Sequence, residues 1–211
     1  MNRVRIKICG ITRPEDALAA AVSGADAIGL NFYPESPRFI DTDTAAAIIS
    51  VLPPFVNKVG LFVNQNETEI QSILNQVSLD YLQFHGEESP EECGRYDIPY
   101  IKSIRMNDEV KLISEVERYE RSSCLLLDAH VEGMAGGTGQ TFDWDKIPAS
   151  LNRPIILAGG LTPDNVKTAI TRVRPYGVDV SSGVEKAKGI KDPDKISAFI
   201  REVIALNLSS N

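Results

Sequence analysis

Val4-Arg5-Ile6-Lys7-Ile8-Cys9-Gly10-Ile11-Thr12-Arg13-Pro14-Glu15-Asp16 reads as a strand that opens into a turn and then a helix. Successive side chains of a strand point to opposite faces, so Val4, Ile6 and Ile8 share one face and Arg5, Lys7 and Cys9 the other. A surface strand of an antiparallel sheet would turn its charged face to water. The turn and helix that follow predict instead a parallel βα unit covered on both faces, with Arg5, Lys7 and Cys9 pointing to an interior. Pro14 stands where the helix begins, Glu15 and Asp16 give it an acidic first turn, and Gly24 ends it. Cys9 then closes the strand, where the chain opens into its loop.

The unit recurs. Strands are expected over 27–32, 58–63, 81–85, 100–105, 124–128, 154–158 and 177–181, and helices over 43–52, 67–77, 90–96, 108–119, 163–172 and 193–206. The segment 27–32 is a short, nearly continuous apolar run, as a strand buried on both faces should be, and 67–77 carries apolar residues at helical spacing (Ile70, Ile73, Leu74, Val77). After 124–128 comes a glycine-rich loop and a short segment near Trp144. About eight strand–helix units with short connections predict a parallel sheet covered by helices, and at this length a closed (β/α)8 TIM barrel rather than an open sheet. Residues 1–211 read as one α/β domain.

The chain's 211 residues suffice for one sizeable core, with an apolar fraction of 43% and a charged fraction of 24%. A net charge of −7 argues against a general nucleic-acid or anionic-membrane binder, while leaving room for a locally positive pocket. No leader pattern and no long apolar run stands in the sequence, so secretion and membrane insertion are unsupported. Cys9, Cys93 and Cys124 are few and unclustered, giving neither a disulfide framework nor metal-ligand spacing. A reduced, cytoplasmic setting is expected, with no metal and no cofactor.

In such a barrel Cys9, Asn31, His85, Arg105, Asp128, Gly159 and Ser181 all fall at the C-terminal strand ends, around one rim. Gly159-Gly160 follows the seventh strand and Ser181-Ser182-Gly183 the eighth. Loops at those places often bind phosphate through backbone N–H groups; glycines there also serve tight turns. Asp128 ends an apolar strand, where a carboxylate is costly to bury unless it is paired or protonated; it is a candidate acid–base group, or a cap, or a partner of Lys7. Cys9 is a buried spacer or, with Lys7 two residues earlier, a thiolate base. Arg38 could clamp a carboxylate bidentately or sit solvated in its loop. His85 is a titrating group or a hydrogen-bonded spacer. Asp179 shares inward parity with Ser181 and, if near Asp128, would raise that group's pKa.

Taken together, Lys7-Ile-Cys-Gly-Ile-Thr12, Ala27-Ile-Gly-Leu-Asn-Phe-Tyr33, Ser36-Pro-Arg38, Val59-Gly-Leu-Phe-Val-Asn64, Gln83-Phe-His-Gly-Glu87, Leu126-Leu-Asp128, Gly136-Gly-Thr-Gly139, Phe142-Asp-Trp144, Leu157-Ala-Gly-Gly-Leu161 and Val178-Asp-Val-Ser-Ser-Gly-Val-Glu185 resemble, in order and spacing, the phosphoribosylanthranilate isomerases of tryptophan biosynthesis. The departures are small: Phe84 stands where a leucine is common and Ala158 where a serine is common. The resemblance implies an Amadori rearrangement of N-(5-phosphoribosyl)anthranilate, a phosphorylated sugar–anthranilate, by a monomer or homodimer. It implies Cys9 as general base and Asp128 as general acid, and Arg38 on the anthranilate carboxylate. Gly159, Gly160, Ser181, Ser182 and Gly183 would hold the phosphate. Asp179 would meet the sugar hydroxyls or the acid's surroundings, His85 would take a substrate-binding place, and the 136–139 loop would close over the ligand. Lys7 is expected to favour the Cys9 thiolate, and Asp179 and burial to favour a protonated Asp128.

An indole-glycerol-phosphate synthase would also use such a barrel, with catalytic lysines for which Lys58 and Lys102 are the available residues, but the glutamate pattern is missing. A non-catalytic phosphate-sugar-binding barrel would need neither Cys9 nor Asp128. The related isomerisation of histidine synthesis uses a pair of aspartates, against which Cys9 speaks.

Overall fold

The computed structural model describes residues 3–107, 110–128, 144, 147–148 and 151–209. Strands β1 (Arg5–Ile8), β2 (Ala27–Asn31), β3 (Asn57–Phe62), β4 (Tyr81–Phe84), β5 (Tyr100–Arg105), β6 (Cys124–Asp128), β7 (Ile155–Ala158) and β8 (Gly177–Val180) pair in parallel, each with the next. β8 pairs back with β1, closing a barrel of eight strands. Helices α1 (Pro14–Ser23), α2 (Thr42–Ser50), α3 (Glu67–Leu74), α4 (Pro90–Cys93), α5 (Leu112–Arg118) and α6 (Val166–Val173) follow individual strands, and α7 (Pro193–Ser209) closes the ring against α1 and α6. Residues 129–143 lie outside the described set, so the 136–139 loop, His130, Phe142 and Asp143 are not placed; neither is Asp108. No helix among the described residues is long and apolar enough to cross a membrane.

Local chemistry sets the element ends. Pro14 occupies the first turn of α1, and Gly24 caps its end in the left-handed region at φ 106°. Asn66 with Glu69, and Ser89 with Glu92, form reciprocal capping boxes at the starts of α3 and α4. Helix α6 begins three residues later than the pattern predicts. The Asn165 side chain accepts from Thr162 N at 2.9 Å and donates to Gly160 O at 2.9 Å, tying residues 160–165 into a turn.

Two apolar layers follow from strand alternation. Val59, Ile101, Cys124, Leu126 and Ile156 fill the barrel, while Ile6, Ile8, Ile28, Leu30, Leu125, Leu127 and Val178 pack outward under the helices. Phe32, Phe62 and Phe84 run across adjacent strands on the outer side with centroids 5.5 and 6.3 Å apart. Arg5 corrects one expectation. It has the parity of Lys7 but stands at the N-terminal mouth, largely exposed and 3.1 Å from Asp26, because the strand begins there. A further departure is the hairpin β9 (Glu185–Ala187) and β10 (Ile190–Lys191), which stands before α7 and is too short to show a period in sequence.

Lys58 and Lys102 face away from the interior. Lys58 pairs with Asp80 at 3.0 Å. Lys102 lies under the helix layer, donating to Gly86 O at 2.5 Å and Glu88 Oε2 at 2.9 Å, with both side chains at most 5% exposed. Glu88 in turn accepts from Asn64 N and Gly86 N at 2.8 and 2.9 Å, holding the loops after β3 and β4 together. Removing one partner leaves the other charge buried and unpaired, so Lys102→Met is expected to cost about 3–5 kcal/mol in denaturant unfolding. Lys102→Met with Glu88→Gln, which removes the unpaired charge but keeps an acceptor for the Asn64 and Gly86 N–H groups, should recover part of that loss, and a double variant no more stable than the single would refute the account.

Candidate active site

The rim formed by the C-terminal strand ends encloses an open cavity of about 470 Å³. Cys9, Asn31, His85, Arg105, Asp128, Gly159 and Ser181 all line it, together with Arg38, Gly160, Asp179, Ser182 and Gly183. Every site residue expected from the sequence therefore faces one space. A second cavity, of about 440 Å³, opens at the other end of the barrel among Arg5, Tyr81, Ile156 and Tyr176, and none of the strand-end residues reaches it.

Topology sets the arrangement. Cys9 follows β1 and Asp128 ends β6, and between those strands in the closed sheet stand only β7 and β8. The thiol and the carboxyl thus flank the loops after β7 and β8. Gly159 and Gly160 both take positive φ, 81° and 65°, a backbone that side-chain-bearing residues rarely adopt. Gly183 packs so closely on the Leu161 carbonyl that a Cβ there would collide with it, which brings the two loops into contact.

The register of β1 on β8 puts Lys7 opposite Asp179, and their side chains pair at 2.8 Å, both buried. Burial opposes the Lys7 charge, but Asp179 and Cys9 outweigh it and push the ammonium pKa up. The Cys9 thiol is pushed up from the ordinary thiol value. Burial is the main cause and Asp179 adds to it, while Lys7 and Lys191 pull the other way. The sign expected for Lys7 therefore holds, but burial and the carboxylate already on Lys7 outweigh it.

Asp179 stays with Lys7 and beside Cys9. Asp128 is met by His85, whose Nε2 lies 3.1 Å from Oδ2, while its Nδ1 lies 3.0 Å from the Gln83 amide nitrogen. With the Gln83 amide donating to Nδ1, Nε2 carries the ring proton and donates to Asp128. Asn31 donates to Ser36 Oγ at 2.9 Å and Ser36 Oγ accepts from Arg38 N at 3.1 Å, shaping the loop that carries Arg38. The Arg38 guanidinium forms two bonds to Glu185, Nε to Oε1 at 2.7 Å and Nη2 to Oε2 at 2.8 Å.

Sequence reasoning passed over Glu185, Lys191 and Gln83. Gln83 follows from strand parity with His85. Glu185 and Lys191 belong to the unanticipated hairpin; Glu185 closes the 178–185 motif but was given no role, and Lys191 lies in no quoted motif.

A sequence model of the family described as PRAI, N-(5′-phosphoribosyl)anthranilate (PRA) isomerase, matches residues 6–202. The chain is 58% identical over 209 residues to N-(5′-phosphoribosyl)anthranilate isomerase of Pseudomonas fluorescens, covering 99% of this chain and 100% of that one. The crystal structure of phosphoribosyl anthranilate isomerase from Thermotoga maritima aligns at a TM-score of 0.86 and 42% identity, over 96% of this chain and 99% of that one. A crystal structure of phosphoribosyl anthranilate isomerase in complex with reduced 1-(o-carboxyphenylamino)-1-deoxyribulose 5-phosphate aligns at 0.82 and 41% identity, with the same coverage.

A thiol with a raised pKa ionises only at higher pH. Iodoacetamide labelling of Cys9, followed by peptide mass mapping, should therefore rise with pH around a midpoint higher than that of an ordinary exposed thiol. Lys7→Met should move the midpoint higher and Asp179→Asn lower; an unchanged midpoint in Lys7→Met would refute the electrostatic account.

Proposed function

This chain belongs to the phosphoribosylanthranilate isomerase family of tryptophan biosynthesis, and from that premise we propose that its rim cavity carries out the Amadori rearrangement with Asp128 as general acid and Cys9 as general base. The observation that carries the assignment is the shared cavity: Cys9 and Asp128 open onto it from either side of the glycine-bearing loops after β7 and β8. A ligand phosphate held in those loops sets the sugar between the two groups.

The product is 1-(2-carboxyphenylamino)-1-deoxyribulose 5-phosphate. In the first step Asp128 gives its proton to the furanose ring oxygen as the bond from that oxygen to C1′ breaks. The anthranilate nitrogen lone pair forms a C=N double bond, leaving a protonated Schiff base. Cys9 as thiolate then takes the proton from C2′, and that electron pair moves through C1′ to neutralise the nitrogen, giving an enolamine. Tautomerisation moves the hydroxyl proton from oxygen to C1′ and yields the ketone. No atom is gained or lost. The His85–Asp128 bond orients the acid, and once Asp128 has given up its proton the carboxylate keeps accepting a hydrogen bond from the His85 ring N–H. Lys7 and Lys191 ease formation of the thiolate against its burial.

Arg38 is assigned to the anthranilate carboxylate, Gly159, Gly160, Ser181, Ser182 and Gly183 to the phosphate, and Asp179 to holding Lys7 near the base.

Following the loss of anthranilate fluorescence with phosphoribosylanthranilate tests the roles directly. Cys9→Ser and Asp128→Asn are each expected to lose about 10²–10⁴-fold in kcat while keeping the far-UV circular dichroism of the parent. If either keeps its kcat, the division of acid and base is wrong. Gly183→Ala, by forcing the two loops apart, should weaken competitive inhibition by inorganic phosphate; unchanged inhibition would remove those loops from the phosphate site.

A further inference from the structure

We propose that Glu185, on the hairpin before α7, is a positioning residue that holds Arg38 ready for the ligand carboxylate, and that Lys191 ties this clamp to the phosphate loop. The proposal rests on the assignment of Arg38 to the anthranilate carboxylate.

Arg38 stands in a loop whose neighbours Pro37 and Phe39 are exposed, and its side chain is long and flexible, so its direction depends on what it is bonded to. The anchor comes from 147 positions away: both Glu185 oxygens accept from the guanidinium, at 2.7 and 2.8 Å. Gly10 leaves room for the stem, since a Cβ there would collide with Arg38 Cδ. A guanidinium has five N–H donors, and the pair on Nε and Nη2 uses two of them. The opposite edge, with Nη1 and the second proton of Nη2, keeps the fork geometry that fits a second carboxylate. Glu185 therefore occupies one edge of Arg38 and presents the other.

Glu185 is itself held. Its side chain is 6% exposed and accepts from Lys191 Nζ at 2.9 Å, while Lys195 donates to its backbone carbonyl at 2.9 Å. Burial alone would push the Glu185 carboxyl up, but Arg38 and Lys191 outweigh it and hold it below the usual range. Lys191, fully buried, also donates to Ser181 O at 3.0 Å and to Ser181 Oγ at 3.3 Å. One buried chain of charges, Arg38–Glu185–Lys191, thus runs from the carboxylate clamp to the first residue of the phosphate loop. Its net charge of one positive unit suits an anionic ligand, and its order is established when the protein folds rather than when the ligand binds.

The test compares two ligands by calorimetry: reduced 1-(o-carboxyphenylamino)-1-deoxyribulose 5-phosphate, which carries carboxylate and phosphate, and ribulose 5-phosphate, which carries only the phosphate. In Glu185→Gln the affinity for the first should fall by about tenfold or more relative to the second, as expected for a weakened charge-assisted contact. In turnover, KM should rise while kcat changes by no more than about threefold. Arg38→Met should show the same selective loss, and Arg38→Met with Glu185→Gln should be no worse than Arg38→Met alone. Should Glu185→Gln fail to fold, Glu185→Gln with Lys191→Met restores the buried charge balance and is judged by the same ratio of affinities. Equal losses for both ligands, or none, would overturn the positioning role. If Arg38→Met keeps its affinity for the carboxylate ligand, the assignment of Arg38 itself fails; a loss in Arg38→Met without one in Glu185→Gln overturns the role of Glu185 alone.

Discussion

The seam where β8 meets β1 closes the barrel, and on its inner side the seam is a buried ion pair. Lys7 and Asp179 are direct neighbours in the register and meet at 2.8 Å, both nearly sealed from water. Neither charge would be tolerable there alone, and removing one partner of such a pair typically costs several kcal/mol. The pair therefore belongs to the closure of the sheet as much as to the site above it. It also tempers the electrostatics at Cys9, just past the end of β1: burial is the main cause of the raised thiol pKa, and Asp179 offsets part of the help that Lys7 gives the thiolate.

Above that layer the barrel changes character. The lower interior is apolar, with Val59, Ile101, Cys124, Leu126 and Ile156 packed as a plug, whereas the residues one step higher are polar and convergent. The same alternation produces both, since residues two apart on one strand share the inward face at successive heights. Cys124, Leu126 and Asp128 on β6 show the transition: a thiol and a leucine in the plug, then a carboxyl in the cavity. A protein with a net charge of −7 thereby presents Arg38 and Arg105 at its rim, with Lys191 beneath, so the local field differs from the global balance.

The rim is also held from outside the barrel. Arg38 depends on Glu185, Glu185 on Lys191, and the Ser181 loop on Lys191 again. Each is a charge-assisted contact in a mostly dry setting, where partners are strong if complete and costly if broken. A small hairpin outside the barrel's own strand ladder thus contacts two of the loops at the rim.

The sequence by itself determined the repeat of strand and helix, the closure into a barrel and the list of rim residues, because these follow from local periodicity and from which residue ends each strand. The strands β5 and β6 were legible to the residue, and Cys9, His85 and Asp128, expected at the C-terminal strand ends, line one cavity there together with the loop residue Arg38. What the tertiary structure decided was who neutralises whom. Asp179, which would have acted on Asp128 if near it, pairs with Lys7; His85 meets Asp128; and Arg38 is met by a carboxylate of the protein's own. These pairings join residues as far as 172 positions apart. They depend on register and on distances of about 3 Å, which the period of a strand or helix does not encode.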